Sequence, residues 1–527
     1  MIRHSLFLTA LLTASAGWGG CAPAVHFPWQ DAPEAAQLVG AIRAYDADHD
    51  GTADFFLFAN DQGRVNRIGF GLFGFGQSGG APSAGDQAQH IVHLDEIDLA
   101  AAPHVVIILD GIGYDVLRNF YDQGHLRYFH PPSRVIAPYP SMTDLALEDA
   151  FDYVPAKGME AKYFDRQANT MAGGSMNYLK GGNQPYDDLL HYRADLILDA
   201  LGYLAPSRVF KHELNKAKKV FDAANQPTKG GFPPAPELLM YFVSSAGLGT
   251  AKGEAGQIEV LVNIERFVNQ LMYETRGRIR LTMFADHGHS YTPGRRLPLE
   301  KLLAARGWNM TDKLKDPRDV VYVRFGLVTC ASFSTNNPYE LAPDLAAIEG
   351  VELASHAFWT FDGARVAVHG RDGSKAIIHR GFKVRVHHEG EEEGYFYQPV
   401  EGDPLNYLPI LANVPRQADG SYRDADLLAA TADCEYPVAI QRLWRAHFGL
   451  VENPPDVLIS LSNDVYSGSR WMDFFATVAS THGSLNRVNS TTFVMTTMGP
   501  LPPILQSRDL APAMGRLLGG PFPRWKP

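Results

Sequence analysis

Five aliphatic residues in a row, Val105 to Leu109, run straight into Asp110, Gly111 and Gly113. An uninterrupted, β-branched run with no polar alternation is a strand covered on both faces, and such strands belong to a central, mostly parallel sheet flanked by helices. The fold class expected is therefore α/β. An acid just past such a strand stands at its carboxyl end, where open α/β sheets collect ligands. Asp110 is either a ligand for metal or substrate, or the cap of the helix expected over Tyr114–Tyr121.

A chain of 527 residues with 45% hydrophobic content can bury a large core, and its length suggests about two to four domains. The net charge of −11 argues against long nucleic acid as a partner, whereas a small phosphorylated substrate needs only a local positive site. Residues 1–24 read as a signal peptide: Arg3 and His4 precede an apolar stretch, Leu6 to Trp18, too short to span a bilayer. Cleavage before Cys21 gives a lipoprotein attached to a membrane through lipid on Cys21. Cleavage after Ala22-Pro23-Ala24 gives a soluble exported protein. The chain is expected to be exported, whether periplasmic, held at the envelope or secreted. Export permits Cys330 and Cys434 to pair without showing that they meet.

Residues 25–100 form an N-terminal segment with a candidate calcium loop. Asp46, Asp48, Asp50 and Asp54 alternate around Gly51, with the carbonyl of Thr52 as a further oxygen. The twelfth position is Leu57 and the following Phe55-Phe56-Leu57-Phe58 reads as a strand, so a shorter structural loop fits better than a helix-flanked one. The alternative is an acidic turn without a cation. Phe55 to Phe70 reads as a hairpin around Asn60–Gly63, and Gly69 to Gly85 as a linker.

From 101 to 320 the texture is that of an α/β core. Pro140, Ser141, Thr143 and Asp144 precede Leu145, Leu147, Ala150 and Phe151 at helical spacing, which makes the polar cluster a helix N-terminus and a place for phosphate, or a simple cap. A second apolar strand ends in Asp286-His287-Gly288-His289, donors suited to zinc or manganese. Residues 321–412 read as a β-rich insertion or cap. There His369, His379, His387 and His388 are read as exposed strand alternation rather than a metal site. Residues 413–527 return to the core, with strands at Asp456–Leu461 and Phe493–Thr497, a loop at Thr481-His482-Gly483 and a closing helix over Leu510–Leu518.

Taken in order, these motifs resemble the alkaline phosphatase superfamily, in particular its type I phosphodiesterase/nucleotide pyrophosphatase-like branch. The strand into Asp110, the Pro140-Ser141-Met142-Thr143 turn, Asp286-His287-Gly288, and Thr481-His482-Gly483 with a trailing strand and Gly499-Pro500 carry the likeness. The resemblance implies one metal held by Asp110, Thr143, Asp286 and His287, with His482 on a second, and Thr143 as the nucleophile. Zinc, one ion or two, is the implied cofactor, with manganese an alternative. A dication makes a threonine alkoxide accessible near neutral pH. Ser141 is the competing hydroxyl. The implied activity is an exported, metal-dependent phosphoester hydrolase of phosphodiesterase or pyrophosphatase type. The alternative is a non-catalytic or single-metal envelope binding protein.

Two departures from the family pattern stand out. The second metal implies an Asp and a His four residues apart after the strand Tyr241–Val243, where this chain has Ala246 and Thr250. Either His289 or Glu254 supplies a ligand beside His482, or the protein works with one metal, or it binds without catalysing. Lys162 stands loosely where many relatives carry an asparagine, and is either a phosphate-binding charge or a solvated strand lysine. A sulfatase is discounted, since His130 in His130-Pro-Pro-Ser133-Arg134 occupies the place of the oxidisable residue.

Overall fold

The computed structural model describes residues 30–31, 41–46, 53–71, 90–174, 184–194, 205–226, 237–324, 326–381, 384–386, 390–469 and 478–524. The signal-peptide reading, Cys21, Asp48, Asp50, Thr52, His387 and His388 lie outside the described residues.

The Val105 strand, His104–Leu109, lies inside a six-stranded sheet. Its neighbours are Glu237–Phe242 on one side and Arg280–Ala285 on the other, both parallel to it. Beyond them come Thr491–Thr496, Ser133–Ile136 and Ile504–Gln506, of which only Thr491–Thr496 runs against the rest. Side chains alternate across a strand, and the two faces of this one enter different cores. Val105, Ile107 and Leu109 pack towards the helices Pro206–Ala224 and Glu254–Glu274 through Phe210, Leu214, Val260 and Ile264. Val106 and Ile108 pack towards the helices Thr143–Ala150 and Leu510–Leu518 through Leu147 and Met514. That two-sided burial is why the run carries no polar residue.

A second, nine-stranded sheet holds the β-rich part of the chain. Gly363–Gly370 and Lys375–Arg380 form the hairpin expected around Gly373. The strand Val457–Leu461 joins this sheet, between Cys330–Thr335 and Val351–Thr360, and not the sheet of the Val105 strand. The helix Ala439–His447 packs against the same sheet. On the sheet's other face the helix Pro338–Ala346 covers one expected surface histidine: His369 is buried and its ring stacks at 5.5 Å on His356, which meets Tyr339 of that helix at 5.1 Å. His379 is half-buried and stacks on Phe396 at 4.3 Å.

The N-terminal strands form a five-stranded meander that includes the expected hairpin, Phe55–Ala59 with Val65–Phe70. Phe55 and Phe70 pack on Tyr273 of the helix Glu254–Glu274, and Arg43 reaches Glu265 on it at 3.2 Å. Of the calcium-loop carboxylates, Asp46 and Asp54 are described, and both are buried. Cys330 and Cys434 are free thiols. No helix of the described residues is long and apolar enough to cross a membrane.

Candidate active site

Strand register builds the centre of the site. Leu109 pairs with Ala285 across the parallel ladder, so the next residue on each strand, Asp110 and Asp286, emerge side by side from the carboxyl edge of the sheet. His287 follows at once. Carboxylate and imidazole atoms of Asp110, Asp286 and His287 all lie within 4.8 Å of one another, and all three residues are buried.

The local hydrogen bonds leave the inward-facing atoms for a cation. Asp286 Oδ1 accepts the backbone N–H of Gly111 and of His287, each at 2.8 Å, while its buried Oδ2 has no hydrogen-bond partner among the described residues. His287 Nδ1 donates to the Gly288 carbonyl at 2.9 Å, which fixes the tautomer with a lone pair on Nε2. That Nε2 is 3.5 Å from both Asp110 Oδ1 and Asp286 Oδ2. Burial raises the Asp286 carboxyl to about 6, against the opposing pull of the Gly111 N–H and the Thr143 hydroxyl. Burial lowers His287 to about 4, so its imidazole is neutral and able to ligate. Two carboxylates and a neutral imidazole are a donor set for zinc or manganese.

Thr143 opens its helix from the opposite wall, with Met142 as the capping residue. Its hydroxyl is 3.4 Å from His287 Nε2. Ser141, the competing hydroxyl, is fully buried and turned towards the Pro138 and Ser484 carbonyls, which keeps it away from the pocket. His482 donates Nδ1–H to the Ser141 carbonyl at 3.0 Å, and its ring stacks on His287 at 3.9 Å between centroids. Burial and the neighbouring His287 lower it to about 3. Asp110, Thr143 and His482 open together on a pocket of about 190 Å³, whose wall also includes Asp144, Glu160, Ala246 and Thr250.

The remaining expected residues divide. His289 lies behind the centre, fully buried, with Nδ1 on Ser480 Oγ at 2.9 Å and Nε2 without a partner among the described residues. Gly111 makes this fit possible: its φ is +70°, and a Cβ there would meet His289 Nε2 at 2.6 Å. Ala246 and Thr250 sit on the helix Ser244–Lys252, one turn apart and facing the pocket, and neither replaces a carboxylate or an imidazole. Glu254 is exposed and borders a different hollow beside Asp122, so it is not a ligand here. Lys162, in the strand Lys162–Asp165, is half-buried and does not line the pocket, although its charge acts on Glu160 in the pocket wall.

Several participants carry no motif. The Tyr241 hydroxyl donates to Asp110 Oδ2 at 2.5 Å, and burial together with the Asp110 charge holds it as a phenol. Ser245 Oγ bonds both the N–H and the carbonyl of Asp110 at 2.8 Å. Glu237–Phe242 pairs in register with His104–Leu109, which is what brings Tyr241 and Ser245 to Asp110; no spacing in the sequence announces it.

No protein-family model matches the chain, and no curated protein does. Solved structures do. The chain is similar to ectonucleotide pyrophosphatase/phosphodiesterases. Murine ectonucleotide pyrophosphatase/phosphodiesterase 5 is 11% identical, over 79% of this chain and 95% of its own, with a TM-score of 0.39. An inactive form of the murine protein in complex with AMP gives the same values. The human protein is 12% identical over the same shares, with a TM-score of 0.40. A superposition that loose leaves the chemistry to be judged on the residues themselves.

Proposed function

We propose that the chain is a metal-dependent phosphoester hydrolase, of phosphodiesterase type, that works through Thr143 and a single cation. The observation that carries this reading is the convergence of Asp110, Asp286 and His287 within 4.8 Å, with the Thr143 hydroxyl 3.4 Å from the same imidazole at a helix N-terminus. Asp110, Asp286 and His287 would hold zinc or manganese, with Thr143 completing the set. The cation would lower the pKa of a hydroxyl and polarise a phosphoryl oxygen. Asp286 and His287 are pinned by backbone partners, so the donor atoms are set before any cation arrives. Thr143 stands at the positive end of its helix, where the unpaired N–H groups suit a phosphoryl group.

One cation rather than two is favoured by a specific observation. Among the described residues only one group of carboxylates and imidazoles has its ligand atoms mutually in reach, and His482 and His289 are not in it. The same reading has the chain exported under its 1–24 signal, anchored through Cys21 or released, with calcium in the loop from Asp46 to Asp54. Its partner is a small phosphorylated substrate.

The test is hydrolysis of nitrophenyl phosphodiester, monoester and sulfate esters by the zinc- or manganese-loaded chain. The diester is expected to be cleaved fastest. Thr143→Ala should lower that rate by about 10³-fold or more, Thr143→Ser should keep part of it, and Ser141→Ala should lose far less than Thr143→Ala. If every ester is inert while metal still binds, the binding-protein alternative replaces this reading.

A further inference from the structure

Glu160 stands in the wall of the pocket that Thr143 and Asp110 share, and the reaction outlined above gives it nothing to do. Its Oε2 accepts the Gly326 N–H at 2.6 Å, which fixes the carboxyl in that wall. Asp144, the neighbouring acid, is differently committed: its oxygens accept Gln184 Nε2 at 2.7 Å and the Tyr186 hydroxyl at 3.2 Å.

The pocket also shows a deficit. Ala246 and Thr250 line it with a methyl and an alcohol, and neither can hold a second cation. In a two-cation site the second ion neutralises the oxygen that departs when the phosphoester bond breaks. With one cation an unactivated leaving alkoxide must be protonated as it leaves, and a carboxylic acid within reach of the phosphorus can do this.

We propose that the Glu160 carboxyl is the general acid that protonates the leaving oxygen, a role that rests on the hydrolase reading above. Thr143 first releases its hydroxyl proton to solvent. Its oxygen then forms a bond to phosphorus, the bond from phosphorus to the leaving oxygen breaks, and that oxygen takes the proton of Glu160. The Glu160 carboxylate next removes a proton from water while the water oxygen bonds to phosphorus. The Thr143–phosphorus bond breaks, and Thr143 recovers a proton from solvent. One water is consumed, and the products are an alcohol and a phosphate ester.

The surroundings of Glu160 suit the role. Burial is the main reason its carboxyl is held up to about 7; the Asp144 charge adds to this, while the Gly326 N–H and Lys162 oppose it. The Glu160 charge also acts on Tyr322 and Cys330, and burial keeps both neutral; His482, in the same pocket wall, is lowered to about 3 by burial and is neutral as well. An acid poised near the working pH can give up a proton and regain it in each cycle.

The experiment compares kcat/KM of the zinc-loaded full chain on methyl aryl phosphates, from the 4-nitrophenyl ester to the unsubstituted phenyl ester. Protonation matters most for the poorer leaving group. Wild type is expected to depend weakly on leaving-group acidity. Glu160→Gln keeps the acceptor for Gly326 but has no proton to give, and should widen the rate gap between the two esters by about 10²-fold. Glu160→Asp, still an acid, should narrow that gap again. An active wild type whose gap is unchanged in Glu160→Gln overturns the assignment of Glu160 alone. A wild type inert on the whole series overturns the hydrolase reading and this assignment with it.

Discussion

Asp286→Asn should make the protein more stable without metal and less stable with it. In wild type the Asp286 carboxyl is 3% exposed beside Asp110, and its Oδ2 has no hydrogen-bond partner among the described residues. Its pKa is raised to about 6, chiefly by burial. A carboxyl whose folded pKa lies above its unfolded value contributes stability that is fully present below the unfolded value, near 3.8, and lost as pH rises through about 6. Metal-free wild type should therefore weaken between pH 4 and pH 7, and the asparagine variant should lack this part of the slope. Zinc reverses the order. A ligand at a hundred times its Kd adds about 2.7 kcal/mol to a protein that binds it only when folded, which for a chain this large is a rise in Tm of roughly 2–3 °C. The amide keeps the acceptor for Gly111 and His287 but cannot supply the second carboxylate, so most of that rise should vanish. Differential scanning fluorimetry at pH 5 and pH 7.5, with chelator or zinc, reads all four combinations, and metal analysis gives the stoichiometry. An equal zinc-induced rise in wild type and variant would refute the grouping of Asp110, Asp286 and His287.

Two further outcomes follow from the geometry. Gly111→Ala places a methyl 2.6 Å from His289 Nε2 on a backbone of φ +70°, so zinc affinity should fall at least tenfold in a titration while far-UV circular dichroism stays native. The buried histidines His356 and His369 are lowered to about 4 and His447 to about 3, each mainly by burial. Imidazoles depressed on folding contribute stability present above their unfolded value, near 6.5, and lost as pH falls through about 4. The urea midpoint should drop between pH 7 and pH 4.5, and the drop should shrink in a His356→Phe/His369→Phe variant; an unchanged drop would count against this cluster as its source.

What could be read in the sequence was what depends on short-range pattern. The aliphatic run into Asp110, the Tyr114 helix, the hairpins at Asn60–Gly63 and Gly370–Ser374, and Thr143 at a helix start all come from residues within one element. Which elements share a sheet is not such a property. Val457–Leu461 has the same apolar texture as Val105–Leu109, yet belongs to the other sheet, because both sheets have covered faces. Strand alternation places His369 on an exposed face; it is buried instead because the helix Pro338–Ala346, earlier in the chain, covers that side through Tyr339 on His356 and through Leu341 and Ala342 on Ala354. Tyr241 and Ser245 reach Asp110 through a register between strands far apart in sequence. In the same way, place in the sequence makes Lys162 and Glu254 candidates, yet Lys162 does not line the pocket and Glu254 borders a different hollow.

The site is assembled from two units that are rigid for different reasons. Asp110, Asp286 and His287 are fixed by the ladder of the six-stranded sheet and by backbone bonds at its edge. Thr143 and His482 are fixed to each other: Ser141 N–H donates to the Gly483 carbonyl at 3.2 Å, and His482 donates back to the Ser141 carbonyl. Beneath that turn Arg442, 2% exposed, donates to Pro138 O, Ser141 Oγ and Ser490 Oγ and to the carbonyls of Pro437 and Leu485. No carboxylate among the described residues shares in this clasp, although a buried guanidinium is costly and its pKa is pushed down to about 9 by that burial. Its position is intelligible if the two units must meet at fixed spacing: on the reading proposed above, a cation would be held by three donors from the sheet edge and one from the turn, and a turn free to drift by an ångström would lose the fourth. Arg442 therefore contributes to geometry what it takes from stability, and the Thr143 hydroxyl stands where the sheet has already placed its carboxylates.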